Sequence, residues 1–412
     1  MTVLVRGGTV VTPAGMEKAD VVIDNGRIAA VEPSGAVAPG GNVDTIDAGG
    51  LLVLPGMVDA HVHFDEPGRV DWEGFDTGSA AAASGGVTTV VDMPIDCDPP
   101  TITAAAVTAK AEAARGQSRI DVALWGGLVP ASLGHLEAMA DAGVVGFKAF
   151  ACPSGWDEFP PIDGPALTEG MTVAARLDVP VAVHCELESL GHTIESEVAA
   201  VRWAAGIAAQ TGARLHVVHL SSAAAVDEAR RWPGVTTETC PHYLTLDASD
   251  RPEARCFPPL RDADERARLW ARVRVGGIDC VASDHSPCPP ERRGTWAGID
   301  SAGMAIPLLL SSGLLSPVQV ARLTTTAATL LRLWRKGAVA VGFDGDLALV
   351  DMDQSWAVTA DSQWSRHRQS PYVGHVVTSR VVSTLVRGRV VYSCETGPST
   401  PGGALVIRPG CQ

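Results

Sequence analysis

A closed parallel (β/α)8 barrel (TIM barrel), flanked by a small β-sandwich built from the two chain ends, is the fold this sequence predicts. Three observations lead there. Eight apolar, strand-length runs alternate with Ala-rich segments of helical spacing through the middle of the chain. Both ends read as short strands joined by turn signals. No Gly-x-Gly-x-x-Gly follows any strand, which turns the choice away from an open, doubly wound sheet. With 412 residues, 46% of them hydrophobic and 19% charged, the chain can bury a core of that size.

Along residues 1–54, the stretches 2–5, 9–12 and 21–23 are β-prone, and Asp24-Asn25-Gly26 supplies a hairpin turn returning through 28–31. The expected buried strands are 52–64, 87–93, 120–125, 144–150, 181–186, 215–221, 236–246 and 278–284. Helical spacing falls between them at 102–115, 133–142, 167–177, 198–211, 223–232 and 262–275. After Lys336 the pattern is β-like again at 338–341, 347–350, 376–382, 384–386 and 389–392, with Arg387-Gly388 as a turn. The expected division is residues 1–54 with 336–412 as the composite β-sandwich, and 55–335 as the barrel.

Composition limits the partners. A net charge of −15 argues against nucleic acid or an anionic membrane surface. No apolar run is long enough to span a bilayer, and the first residues lack the layout of a signal peptide. Nine cysteines without framework spacing or a Cys-x-x-Cys pair suit free thiols in a reducing cytoplasm. Of 32 basic residues only Lys18, Lys110, Lys148 and Lys336 are lysines. Lys148 lies inside an apolar strand, where an unpaired ammonium is costly.

In such a barrel the functional residues sit at the C-terminal strand ends. Reading off those ends gives His61 and His63 on strand one, Lys148 on strand four, His184 on strand five, His219 on strand six and Asp284 on strand eight. Alternation along a strand projects His61 and His63 to the same face. Imidazole and carboxylate ligands suit zinc, with cobalt, manganese or nickel as alternatives. A lysine beside two divalent ions would repel them. If it reacts with carbon dioxide, the resulting carbamate is anionic and can bridge them. A hydroxide between the ions would be the nucleophile, with Asp284 as the base and acid that moves its proton.

These residues carry a resemblance. The chain is similar to the cyclic amidohydrolases of the amidohydrolase superfamily, and most to their allantoinase branch, nearly end to end. The dense stretches are Pro55-Gly56-Met57-Val58-Asp59-Ala60-His61-Val62-His63, Gly146-Phe147-Lys148, Val183-His184-Cys185-Glu186, His219-Leu220-Ser221-Ser222, Glu238-Thr239-Cys240-Pro241-His242-Tyr243 and Ser283-Asp284-His285-Ser286-Pro287. The resemblance implies His61, His63 and Asp284 on one metal ion, His184 and His219 on the other, and N6-carboxylysine at Lys148 bridging them. It also implies a small-molecule cyclic amide as substrate, allantoin in that branch, and a homodimer or homotetramer. A non-catalytic scaffold relative would have lost some of the six residues, and all six are present.

Neighbouring positions bear on the ring. Dihydroorotases place an arginine two residues after the second histidine, where this chain has Asp65. Hydantoinases and dihydropyrimidinases, the alternative reading, carry a tyrosine beyond the lysine, where this chain has Cys152-Pro153-Ser154-Gly155. Asp96 stands where the branch has asparagine, Phe257 stands where a small or polar residue is usual, and the stretch from His184 to His219 is short. Asp65, Arg69, Asp96, Ser154, Phe257 and His285 are the candidate substrate contacts, with a salt bridge at the pocket mouth as the alternative for Arg69 and a structural or ligand-orienting place as the alternative for His285.

Overall fold

Gly56 divides the run 52–64, expected as one strand, into two. A Cβ there would fall 2.2 Å from Thr88 Cγ2, so only glycine lets the chain cross at this point. Before it, Leu52–Pro55 pairs with Thr2–Thr12 and Leu347–Asp351; after it, Met57–Val62 opens the barrel. In this computed structural model residues 1–37, 43–249 and 254–408 are described.

The barrel strands follow in chain order: Met57–Val62, Val87–Asp92, Asp121–Gly127, Gly146–Phe150, Pro180–His184, Arg214–Val217, Thr236–Thr239 and Cys280–Val281. Every neighbouring pair is parallel. The last strand returns to the first through a parallel bridge between Val62 and His285, where His63 N–H donates to His285 O at 2.7 Å. Buried Asp59 reinforces the seam by accepting from Ser283 N–H at 3.0 Å.

The crossover helices start where the sequence supplies a cap. Thr103, Thr193 and Asp262 each accept a backbone N–H of the first turn of Ala104–Ala114, Ile194–Thr211 and Ala263–Arg274. Two expectations are corrected. The run 236–246 is a strand only to Thr239 and turns into the helix Pro241–Thr245, because Pro241 cannot donate to a ladder and is preset for a first helical turn. Residues 338–341 form no strand. Three helices outside the sequence reading are Phe75–Ser84, Ala305–Ser311 and Pro317–Leu330.

Strands from both ends make one nine-stranded sheet, with Leu347–Asp351 joining Leu52–Pro55 at its centre. It has its own apolar core around Val3, Val21, Ile23, Val53, Leu347 and Leu385. The hairpin turns at Asn25-Gly26 and Arg387-Gly388 all have positive φ, the twist that two-residue hairpins require. Among the described residues no helix is long and apolar enough to cross a membrane.

Candidate metal centre

The strands end in loops around a cavity of about 350 Å³, and its lining includes His61, His63, Lys148, His184, His219 and Asp284. All six residues singled out at strand ends meet there. His219 and Asp284 hold left-handed backbone, at φ +40° and +48°. Neither is glycine, so each conformation costs about 1–3 kcal/mol and is kept by its surroundings, as at functional sites.

On one side, Asp284 Oδ1 lies 3.2 Å from His61 Nε2 and 3.4 Å from His63 Nε2. On the other, His184 Nδ1 and His219 Nε2 face each other at 2.9 Å. Two ligands each about 2.0–2.1 Å from one tetrahedral ion stand about 3.3 Å apart, so both groups have the spacing of donors around an ion. Carboxylates hold the opposite ring nitrogens. Glu238 Oε1 lies 2.9 Å from His61 Nδ1, Asp96 Oδ2 2.6 Å from His63 Nδ1, and Glu186 Oε2 2.8 Å from His184 Nε2. An ionised carboxylate only accepts, so in the neutral ring, the form that binds a metal ion, the proton sits on the held nitrogen and the lone pair is left on the other.

The electrostatics suit cations at this centre. Lys148 is fully buried, its Nζ has no hydrogen-bond partner, and burial pulls its pKa down to about 8. Burial opposes the charged form of His63, but Asp96 and Asp284 overcome it and raise its pKa to about 9. Burial would also raise Asp284, yet His61, His63 and His219 facing it hold it well below the usual range. His219 is held well below its ordinary value by burial and then by His184 and Lys148, and its buried Nδ1 has no partner. The buried, unpartnered amine and the donor spacing together fit divalent ions.

Of the expected substrate contacts, Asp96, Ser154 and Phe257 line the cavity. Asp96 is engaged by His63 and by the Trp156 indole N–H, and Ser154 donates to Phe159 O at 2.7 Å. The other three do not line it. Asp65 is buried among Asp96, Asp92 and Glu73, which together with burial push its pKa well up. Arg69 lies 3.8 Å over the Trp156 ring. His285 accepts Ser301 and Ala302 N–H on Nδ1, both at 3.1 Å, and turns Nε2 toward Glu73 at 3.4 Å.

Two groups lay beyond the sequence reading. Glu238 joins His61 to His216, whose Nε2 is 3.3 Å away, and despite burial these histidines take its pKa down to about 2. Trp72 and Trp156 pack tilted or edge-on against Trp296 of the cavity wall, with ring centroids 4.9–6.1 Å apart among the three. Neither shows a local spacing; the Trp residues come from three separate loops. His242 is completely buried without a partner on either nitrogen, has its pKa lowered to about 4 by burial, and lies within 4.8 Å of Asp284.

Known proteins resemble the chain in sequence and in shape. The family described as Amidohydrolase family matches residues 52–391. An allantoinase of Solibacter usitatus (strain Ellin6076) is 41% identical, covering 98% of this chain and 96% of its own. An allantoinase of Rubrobacter xylanophilus is 40% identical over 98% and 97%. The L-hydantoinase (dihydropyrimidinase) of Arthrobacter aurescens superposes with a TM-score of 0.92 at 30% identity, over 98% of this chain and 99% of that one.

Proposed function

The chain belongs to the amidohydrolase family, and on that premise we propose that it opens a cyclic amide ring by metal-assisted hydrolysis, taking allantoin to allantoate. The observation that carries the reading is the meeting of four imidazoles, one buried unpartnered lysine and one carboxylate on a single cavity. His61, His63 and Asp284 would hold one divalent ion, and His184 and His219 the other. Zinc suits these ligands, with cobalt, manganese or nickel as alternatives. Lys148 would serve both ions as a carbamate. Its neutral amine adds to carbon dioxide, the N–C bond forms, and one proton leaves to solvent. A pKa of about 8 supplies that neutral amine near neutral pH.

Bound ions supply a nucleophile by acidifying water and polarise the ring carbonyl. The chain does the rest. Glu238, Asp96 and Glu186 fix the imidazole tautomers. Asp284, ionised and at the cavity wall, takes the proton released as water attacks the ring carbonyl. It then delivers that proton to the ring nitrogen as the C–N bond breaks. Phe150, Phe257 and Trp296 give the cavity apolar wall area beside the ligands.

A hydantoin or dihydropyrimidine ring is the second reading, supported by the hydantoinases among the solved structures; their 25–30% identity, against 35–41% for the allantoinases, ranks it second. A homodimer or homotetramer in the cytoplasm belongs to the same proposal, and the eight free cysteines among the described residues suit a reducing compartment. Chelation tests the metal dependence. Removing metal should abolish allantoin opening, and adding zinc with bicarbonate should restore it. Full activity in protein shown to be metal-free would refute the proposal.

A further inference from the structure

The cavity's polar side chains are almost all committed. The six strand-end residues form the metal centre, Asp96 is held by His63 and Trp156, and Ser154 donates to Phe159 O. Ser286 donates to Asp284 O at 3.3 Å, and the Thr295 hydroxyl donates to Arg292 O at 2.8 Å. Outside those six metal-centre residues, and among the described residues, two lining nitrogens have no hydrogen-bond partner: Nε2 of His192 and the indole Nε1 of Trp296.

His192 is firmly placed. Its Nδ1 lies 3.1 Å from Glu186 Oε1, while the other oxygen of that carboxylate holds His184. Its ring stacks on Phe257 with centroids 4.0 Å apart and planes 20° apart. Its carbonyl accepts from Arg261 Nη1 at 2.9 Å. The connection after His184 and the bulky Phe257 thus meet in one wall. Alignments with the relatives run to 446 and 443 positions against this chain's 412 residues, so segments present in them are missing here.

We propose that His192, backed by Phe257 and sharing the cavity lining with Trp296, is the substrate-selecting element that reads the exocyclic ureido group of the ring. This rests on the reading that the enzyme opens a ureide ring. Glu186 fixes the Nδ1–H tautomer, which leaves Nε2 as an acceptor. The Trp296 indole is a donor only. Together they offer an acceptor and a donor, and a ureido group offers the complementary N–H and C=O. A ring lacking that group leaves both uncommitted.

The test compares kcat/KM for allantoin with kcat/KM for hydantoin, the same ring without the ureido group, in metal-loaded wild type, His192→Ala, His192→Gln and Phe257→Ala. The ratio between the two substrates should fall about 10-fold or more in His192→Ala, the scale of one lost hydrogen bond. His192→Gln, which keeps an amide near the Nε2 position, should recover part of the ratio, and Phe257→Ala should lower it in the same direction. Metal content measured in parallel should stay at the wild-type value. An unchanged ratio in His192→Ala, whether or not both rates drop, overturns the inference while leaving the ring-opening reading intact. A wild-type enzyme that does not open allantoin overturns both.

Discussion

Lys148 is the residue on which chemistry and stability pull in opposite directions. Its folded pKa of about 8 lies below the unfolded value near 10.5, so between those values the unfolded chain binds more protons and stability rises with pH. The penalty of the buried ammonium is therefore complete below about pH 8 and vanishes above about 10.5, with a size of about 3 kcal/mol. Lys148→Met should make the metal-free protein more stable at pH 7, with the gap closing above pH 9, while abolishing metal retention and ring opening. Urea denaturation at pH 7 and pH 10 together with metal analysis would measure this; a variant less stable than wild type at pH 7 contradicts it. An out-of-place lysine was legible because sequence shows type and apolar context. Glu186, two residues beyond its partner His184, was legible as a supporting carboxylate, but Glu238 was not: it reaches His61 across 177 positions, and no spacing encodes that meeting. Asp96 was visible as a departure, but its use, holding His63 Nδ1, appears only in three dimensions.

At the scale of elements, strands were easier to read than helices. Buried parallel strands write continuous Val, Ala and Ile runs, and their C-terminal ends fall where the ligands are. The helix Phe75–Ser84 escaped because its N-cap is Gly74, without a side-chain cap, and Gly78, Ser79 and Thr77 are weak helix formers. Residues 236–246 misled through their β-prone threonines and Tyr243, although Pro241 carried the signal for a helix start. The break at Gly56 was hidden because both halves of the run are strand. Gly56→Ala would drive a methyl into Thr88, displacing the first barrel strand and its two histidines. The expected loss is about 1–3 kcal/mol of stability, with weaker metal binding. Thermal unfolding of the variant would check it, and an unchanged midpoint would remove Gly56 from the account.

For the whole molecule, one buried cation ties the terminal sheet to the barrel. Lys336 Nζ lies 2.5 Å from Asp121 at the start of the third barrel strand, and 2.9 and 2.7 Å from Asp344 and Asp346, which lead into Leu347–Asp351. Arg387 in the last hairpin also pairs with Asp121. Lys336→Met would leave these carboxylates buried around a neutral side chain, a loss of about 3–5 kcal/mol. The expected denaturation shows a lower midpoint with metal content per folded chain unchanged; an unaltered midpoint would mean that the sheet and barrel are held by apolar packing alone. The ring-opening assay goes to the centre of the account. Metal-loaded protein, offered allantoin, hydantoin, dihydrouracil and dihydroorotate separately, should open allantoin with the highest kcat/KM. Opening of another ring with no turnover of allantoin would contradict it.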